Sequence, residues 1–271
     1  MVAKFPGKHI TICDTVDGDF PNHAPDPCVE KNTAMLKKEV VNNGCSLGVC
    51  FDGDGDRLGV IDDKGSFIYG DQLMTILARD FLAHNPGEKV MSEVKASKTF
   101  YDDIVSHGGV PVMWKAGHSA LKAKMKTDNI RLAGETSGHI FYGDNHNYDD
   151  SLYAAVKLIN YISENNLKLS VIIESFPKTY STTEIRLKAG DTRKFEAVGE
   201  IVERIRKSGR KFIDVDGVRV ETKDGWWLIR ASNTLPEITT RCEALSEDGL
   251  NICKSELKEQ LNESGLDIDF D

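Results

Sequence analysis

The residues best suited to chemistry in this chain lie in one short segment, Asp52-Gly53-Asp54-Gly55-Asp56-Arg57. Glycine tolerates backbone angles that other residues resist, so a loop of this composition can turn its three carboxylates toward one point. Converging carboxylates repel one another unless a cation lies between them, and a set of oxygen ligands suits Mg²⁺. The arginine adds a fixed positive charge that can hold a phosphate beside the metal. The segment therefore predicts a magnesium site formed by Asp52, Asp54 and Asp56, with Arg57 beside it.

Three other interpretations of this loop compete with the magnesium site. A solvated acidic turn is the plainest, but strand-like apolar runs at Leu47–Phe51 and Leu58–Ile61 flank the loop and argue against it. An EF-hand calcium loop needs glycine at its sixth position and a closing glutamate, where this chain has Arg57 and Asp63. A phosphatase with Asp52 as its nucleophile stays open, because two aspartates separated by one residue are a weak signal.

Two further polar segments follow strand-like runs. Gly134–His139 contains Glu135, Ser137 and His139, whose side chains can hydrogen-bond the hydroxyls of a sugar. An ordinary polar turn explains this segment equally well. His118 follows another strand and opens a helix, where backbone N–H groups can receive a phosphate. A single histidine is as often structural as catalytic, so its role stays open.

Two basic segments also follow strands. The first supplies one guanidinium, two hydroxyls and an amide, a set of donors that suits a phosphate. Its residues are Arg230, Ser232, Asn233 and Thr234. Taken alone, such a segment is equally typical of a turn. Lys95 lies just past another strand. A surface lysine is the ordinary expectation there, and only its position after a strand makes it a candidate.

Strand-like and helix-like patterns alternate through the first two thirds of the chain, which predicts an α/β fold with mixed or parallel sheets. Helical spacing is found at Thr33–Val41, Gln72–Ala83, Thr99–Ser106, Ala120–Lys126 and Asp150–Ser163. Strands are predicted at Ile10–Cys13, Leu47–Phe51, Leu58–Ile61, Lys89–Met91, Val110–Trp114 and Ile130–Ala133. In such sheets, sites collect at the strand ends and in the loops that follow them.

The pattern changes at two places, which predicts three domains. A turn at Asp62–Gly65 closes a first unit, and Phe176-Pro177 closes the apolar segment Leu169–Phe176. From Tyr180 onward the order is strand, helix, several strands and a final helix, which is typical of a separate and smaller α+β domain. The predicted domains are a metal-loop unit at 1–66, an α/β/α unit at 67–177 and an α+β unit at 178–271.

Composition excludes several classes of partner. The chain has 271 residues and a formal net charge of −9, which disfavours nucleic acid or an anionic membrane as its main partner. No apolar run approaches the ~18 residues that span a membrane. The 6 cysteines are scattered and form no C-x-x-C pair, a pattern typical of reduced thiols. We therefore expect the cytoplasm as its location.

Five motifs in order resemble one family, the alpha-D-phosphohexomutases of the bacterial phosphomannomutase/phosphoglucomutase type. Asp52–Arg57 looks like the family's D-G-D-G-D-R metal loop, and Gly134–His139 resembles its G-E-x-S-G-H sugar loop. Arg230–Thr234 resembles its R-x-S-N-T phosphate loop. Pro111–Ser119 and Pro21–Pro27 are similar to two further family segments. The order and rough spacing of the motifs match those of the family over nearly the whole chain.

The resemblance implies a fold and a mechanism. The chain would hold part of the family's second domain, its complete third domain and its C-terminal domain. An enzyme phosphoserine would donate its phosphoryl group to a hexose phosphate, and the enzyme would later recover one from the other position of the bisphosphorylated sugar. Mg²⁺ on the three aspartates and Arg57 would assist the transfer. Lys95 and His118 would serve as proton-transfer groups or phosphate contacts. Sugar hydroxyls and the distal phosphate would be bound by Glu135, Ser137, His139, Arg230, Ser232, Asn233 and Thr234.

The chain departs from the family pattern at Gln72, where close relatives often have arginine, and above all in its serine loop. It contains no [ST]-x-S-H-N-P motif, and its single H-N-P, at His84–Pro86, ends a predicted helix. Turnover of a mutase needs a covalent phosphoryl carrier, so we expect this chain alone to lack normal activity. Either a separate chain supplies the serine domain, or this is a truncated product that binds Mg²⁺ or a sugar phosphate without chemistry. A preference for mannose or glucose phosphate is not readable.

Overall fold

Three β-sheets organise the chain, and the computed structural model describes residues 7–270. The helices are α1 (Ala34–Asn43), α2 (Gly70–His84), α3 (Lys98–Ser106), α4 (His118–Asp128), α5 (Ser151–Glu164), α6 (Leu169–Glu174), α7 (Arg193–Lys207) and α8 (Glu247–Glu263). The strands are β1 (Gly48–Phe51), β2 (Leu58–Ile61), β3 (Phe67–Ile68), β4 (Lys89–Glu93), β5 (Val110–Trp114), β6 (Leu132–Gly134), β7 (Ile140–Tyr142), β8 (Tyr180–Ser181), β9 (Ile185–Lys188), β10 (Phe212–Ile213), β11 (Val218–Glu221), β12 (Gly225–Ala231) and β13 (Glu237–Ala244). The predicted α/β class is confirmed.

The first sheet is antiparallel, in the order β1-β2-β3. Phe51 pairs with Leu58, so residues 52–57 form the hairpin loop between β1 and β2. The strand predicted at Ile10–Cys13 is wrong: this stretch is irregular, largely exposed and unpaired within residues 7–270. A short apolar run becomes a strand only where a neighbouring strand supplies ladder hydrogen bonds, and none lies beside it in that range.

The second sheet has the order β5-β4-β6-β7, with β4 parallel to both β5 and β6. Its two faces carry separate cores. Val90 faces the helices α2, α3 and α5, and Met91 faces α4, because successive side chains of a strand point to opposite sides. The parallel strands end at one edge, and the loops that follow them contain Lys95, His118 and Glu135.

The third sheet is antiparallel and belongs to the last part of the chain. Its order is β10-β11-β12-β13-β8, and β9 pairs with the other half of the same edge of β13. Helices α7 and α8 cover one face, and α7 turns Ala197, Ile201 and Ile205 into the core at helical spacing. None of the helices in the described part of the chain is long and apolar enough to cross a membrane.

Two arginines of the third sheet hold the loop that follows β4. Arg219 is fully buried, and its Nη1 donates hydrogen bonds to the carbonyl oxygens of Val94 and Ala96, at 2.8 and 2.7 Å. Arg241 donates to the carbonyl between them, that of Lys95, at 2.8 Å. Three consecutive carbonyls are thus bound from the last sheet, which fixes this loop against the α+β unit.

Candidate functional site

The loop 52–57 is folded around the side chain of Asp52. Its Oδ1 accepts hydrogen bonds from the backbone N–H groups of Gly55, Asp56 and Arg57, at 3.0, 3.0 and 3.1 Å. Its Oδ2 accepts from Arg57 Nε at 2.7 Å. Burial raises the pKa of Asp52, but the hydrogen bonds from Arg57 outweigh it and lower the pKa to about 2. Asp52 is therefore a carboxylate at neutral pH, and it holds the loop in one shape.

The three aspartates of this loop converge as their spacing predicts. One oxygen each of Asp52, Asp54 and Asp56 lies within 4.8 Å of the others. Asp54 is exposed, and the other two are partly buried. Burial raises the pKa of Asp56, and so do the neighbouring charges of Asp52 and Asp54, against the opposing effect of His139. A set of carboxylate oxygens under mutual repulsion fits a hard divalent cation in its chemistry.

The imidazole of His139 joins this loop to the predicted sugar loop. Its Nε2 lies 3.3 Å from Asp56 Oδ1, and its Nδ1 lies 3.3 Å from Glu135 Oε2. Ser137 Oγ lies 3.0 Å from the same Nδ1. Burial lowers the pKa of His139, but the carboxylates of Glu135, Asp56 and Asp149 outweigh it and raise the pKa. The imidazole thus bridges carboxylates from two loops.

Glu135 follows β6 directly and is buried. Its Oε1 accepts a hydrogen bond from the backbone N–H of Gly117 at 2.7 Å. Burial raises the pKa of Glu135, but the hydrogen bonds with His139 and Gly117 and the charge of Lys95 outweigh burial and lower it. Gly117 precedes α4 with φ +116°, a conformation that other residues rarely adopt. Glu135 thus ties the sugar loop to the start of α4.

His118 is the first residue of α4, as the sequence predicts. Its ring stacks on that of His139 with centroids 5.8 Å apart. Its Nδ1 lies 3.4 Å from Oδ2 of Asp149, which also forms an ion pair with Lys122. The His118 side chain remains half exposed. Asp149 was not a candidate, because nothing in its local sequence marks it.

Lys95 differs from an ordinary surface lysine, since its side chain is 15% exposed. Its Nζ lies 3.0 Å from Glu184 Oε2 and 3.7 Å from Glu93 Oε1. Burial lowers its pKa, but the carboxylates of Glu93 and Glu184 outweigh it and raise the pKa. The lysine is charged at neutral pH and is held by acidic groups from two domains. Neither glutamate was identified from the sequence.

The predicted phosphate loop begins inside β12. Arg230 is buried at the end of this strand, and its Nε donates to Asp216 Oδ2 at 2.8 Å. Ser232 Oγ accepts from the backbone N–H groups of Thr234 and Leu235, at 3.4 and 3.1 Å, which shapes the turn. Asn233 and Thr234 are exposed. The loop therefore presents polar side chains on a turn that its own serine stabilises. Asp216 was also missed from the sequence.

The α/β/α layers, the α+β unit and these loops define a protein of the phosphohexomutase class. Family models of phosphoglucomutase/phosphomannomutase match the chain in order: alpha/beta/alpha domain II at residues 2–65, alpha/beta/alpha domain III at 69–180 and the C-terminal domain at 184–260. The chain belongs to the phosphoglucomutase/phosphomannomutase family of enzymes.

Individual relatives agree with this assignment. The chain is 39% identical over 262 residues to a phosphomannomutase/phosphoglucomutase of Pseudomonas syringae pv. tomato, covering 96% of this chain and 56% of the relative. It is 40% identical over 259 residues to the protein of that name in Pseudomonas aeruginosa, covering 94% and 56%. A crystal structure of a phosphoglucomutase/phosphomannomutase family protein from Burkholderia thailandensis superimposes with a TM-score of 0.85 at 33% identity, covering 92% of this chain and 54% of that one. The chain thus spans about half the length of these relatives.

Proposed function

We propose that the chain supplies the metal-binding, sugar-binding and phosphate-binding parts of a phosphohexomutase, which interconverts the 6-phosphate and 1-phosphate of mannose or glucose. The observation that carries the proposal is the position of His139, whose two ring nitrogens lie 3.3 Å from Asp56 and from Glu135. Metal loop and sugar loop therefore meet at one place, beside the start of α4. This arrangement supports a site that takes a small phosphorylated sugar, and we propose the cytoplasm as the location of the protein.

In this proposal Asp52, Asp54 and Asp56 would hold Mg²⁺, which would supply positive charge to offset that of a phosphoryl group. Arg57 is kept in place by Asp52 and by Asp26, whose Oδ1 lies 3.2 Å from Arg57 Nη1. Its guanidinium adds positive charge at the same point. A phosphatase that uses Asp52 as its nucleophile is the alternative, and release of inorganic phosphate that Asp52→Asn abolishes would support it.

The sugar and its distal phosphate would meet residues from two domains. Glu135, Ser137 and His139 bind sugar hydroxyls, and Glu135 is a strong acceptor because it stays ionised. Lys95 and His118 lie on loops at the same edge of the second sheet and contact phosphate or carry protons. The distal phosphate is bound by Arg230, Ser232, Asn233 and Thr234.

Turnover requires a phosphorylated serine, and the 271 residues contain no [ST]-x-S-H-N-P motif. We therefore propose that these residues by themselves bind hexose phosphate without interconverting it, and that turnover needs a serine-bearing domain in addition to them. A non-catalytic protein that binds sugar phosphate would show the same binding, so only restored turnover separates the two.

Calorimetric titration with glucose 1-phosphate and mannose 1-phosphate, with and without Mg²⁺, tests the proposal. We expect binding that is lost in Arg230→Ala and Glu135→Ala. Arg204→Ala is the matched control, since Arg204 pairs with Glu263 away from these loops. Turnover is then measured after adding the serine-bearing domain of a relative. A folded chain that binds neither sugar phosphate, or that releases inorganic phosphate by itself, would contradict the proposal.

A further inference from the structure

The carboxylate of Asp216 lies between two domains. It belongs to the turn before β11, and its Oδ2 accepts a hydrogen bond from Arg230 Nε at 2.8 Å. The same oxygen accepts from the backbone N–H of Ala116 at 3.0 Å, on the loop that follows β5 in the second sheet. One oxygen therefore joins the predicted phosphate loop to the α/β/α unit.

The contact continues directly to the sugar loop. Ala116 is followed by Gly117, whose N–H donates to Glu135 Oε1 at 2.7 Å. A continuous path of hydrogen bonds and one peptide link thus runs from the guanidinium of Arg230 to the carboxylate of Glu135. The two ends of this path are the groups that the proposed function assigns to the phosphate and to the sugar.

The turn that carries Asp216 is built to hold it in place. Gly217 follows with φ +74°, and a Cβ at this position would lie 2.2 Å from the carbonyl oxygen of Ile229. Only glycine allows the turn to pack this closely on the backbone beside Arg230. The side chains of Asp216 and Arg230 are 11% and 8% exposed, so solvent screens their interaction weakly.

We propose that Asp216 is a positioning residue that makes the site selective for a phosphorylated sugar over free phosphate. This inference rests on the proposed function of Arg230 and Glu135. By charge alone, a carboxylate beside an anion site opposes phosphate binding. Its contribution is geometric: it orients the guanidinium and fixes the separation between the phosphate-binding and sugar-binding groups. A ligand with a phosphate and sugar hydroxyls at that separation therefore binds more tightly, whereas inorganic phosphate does not.

The test compares two ligands, glucose 1-phosphate and inorganic phosphate, by calorimetric titration of the full chain. In Asp216→Asn we expect affinity for glucose 1-phosphate to fall by about tenfold or more, while that for inorganic phosphate stays equal or rises. Asp216→Glu keeps the charge but moves the carboxylate, so we expect the same loss of selectivity. Asp214→Asn is the matched control, because Asp214 lies two residues away and pairs with Arg206 on the surface.

The outcomes separate this inference from the proposed function. A wild-type chain that binds neither ligand overturns the proposed function, and the selectivity role of Asp216 with it. Normal wild-type binding with an unchanged ratio of affinities in Asp216→Asn overturns the role of Asp216 alone. Wild-type behaviour of Asp216→Glu would show that charge rather than position matters, which also overturns it. Faster amide exchange at residues 115–118 in Asp216→Asn, absent in Asp214→Asn, supports the contact in a folded protein.

Discussion

Replacement of Glu243 tests how the last domain is held against the second sheet. Its Oε1 accepts three hydrogen bonds, from Ser97 Oγ at 2.8 Å, from Lys98 N at 3.0 Å and from Trp226 Nε1 at 2.9 Å. The first two donors belong to the loop and helix that follow β4, and the third belongs to the last sheet. Because the side chain is 4% exposed, water does not replace the missing acceptor easily.

The cost of removing this carboxylate follows from the donors that it leaves. A buried donor without a partner costs ~1–3 kcal/mol, so three such donors set an upper range of ~3–9 kcal/mol for the loss in free energy of unfolding. Relaxation reduces this. Glu243 Oε2 also lies 3.8 Å from Arg241 Nη2, and removing one partner of a buried charged pair typically costs ~3–5 kcal/mol. We therefore expect about 4 kcal/mol for Glu243→Ala. Glu243→Gln keeps an acceptor but loses the charge, which roughly halves each bond, so we expect about 1–2 kcal/mol.

Urea unfolding followed by tryptophan fluorescence and circular dichroism measures both losses. Glu256→Ala is the matched control. Glu256 also accepts from a tryptophan, Trp227 Nε1 at 2.8 Å, but it lies within one domain and is 29% exposed. We expect about 1 kcal/mol there. A loss under ~1 kcal/mol in Glu243→Ala, or equal losses for the alanine and glutamine variants, would refute this reasoning.

Three further predictions follow from the site and its surroundings. Burial raises the pKa of Asp63, but the N–H and hydroxyl of Ser170 outweigh it and lower the pKa. This contact therefore stabilises the fold fully above the pKa of the unfolded chain, near ~4, and the stabilisation is lost as the pH falls through the lower pKa of the folded protein. Urea midpoints between pH 5 and pH 3 should therefore fall less steeply in Asp63→Asn than in the wild type. Gly117→Ala places a side chain at φ +116°, so thermal unfolding should show a loss of ~1–3 kcal/mol, and an unchanged melting temperature would speak against strain at this position. Asp54→Asn should weaken Mg²⁺ binding at least about tenfold in calorimetry, and equal binding would remove Asp54 from the proposed ligands.

The parts of the site that lie close together in the chain were predictable from the sequence. The loop around Asp52 needs only neighbouring N–H groups and two glycines, all within six residues. The contacts that complete the site join distant parts. Asp216 and Ala116 are 100 residues apart, and no local pattern distinguishes that aspartate from others on turns. The roles assigned to the site residues and the domain boundaries at 66 and 177 stay predictions.

Element prediction was accurate both for long periodic helices and for short strands, since Leu58–Ile61 and Val110–Trp114 are observed as predicted. α2 and α5 have apolar faces of several turns, and each was predicted close to its observed bounds. The apolar segment Leu169–Phe176 was not assigned to a helix or a strand, because its pattern alone does not separate the two, and it contains the short helix α6. The strand prediction at Ile10–Cys13 failed because these four residues do not show whether a partner strand lies beside them.

The composition of the contact between the last domain and the loop after β4 affects how easily the two separate. Its apolar centre is small, with Val94, Trp226 and Leu228 buried together, and the rest consists of paired charges and carbonyls around Arg219 and Arg241. Interfaces of this composition resemble transient protein–protein contacts more than a shared core. Separation of the two would therefore expose mainly groups that water solvates well, together with one small apolar cluster.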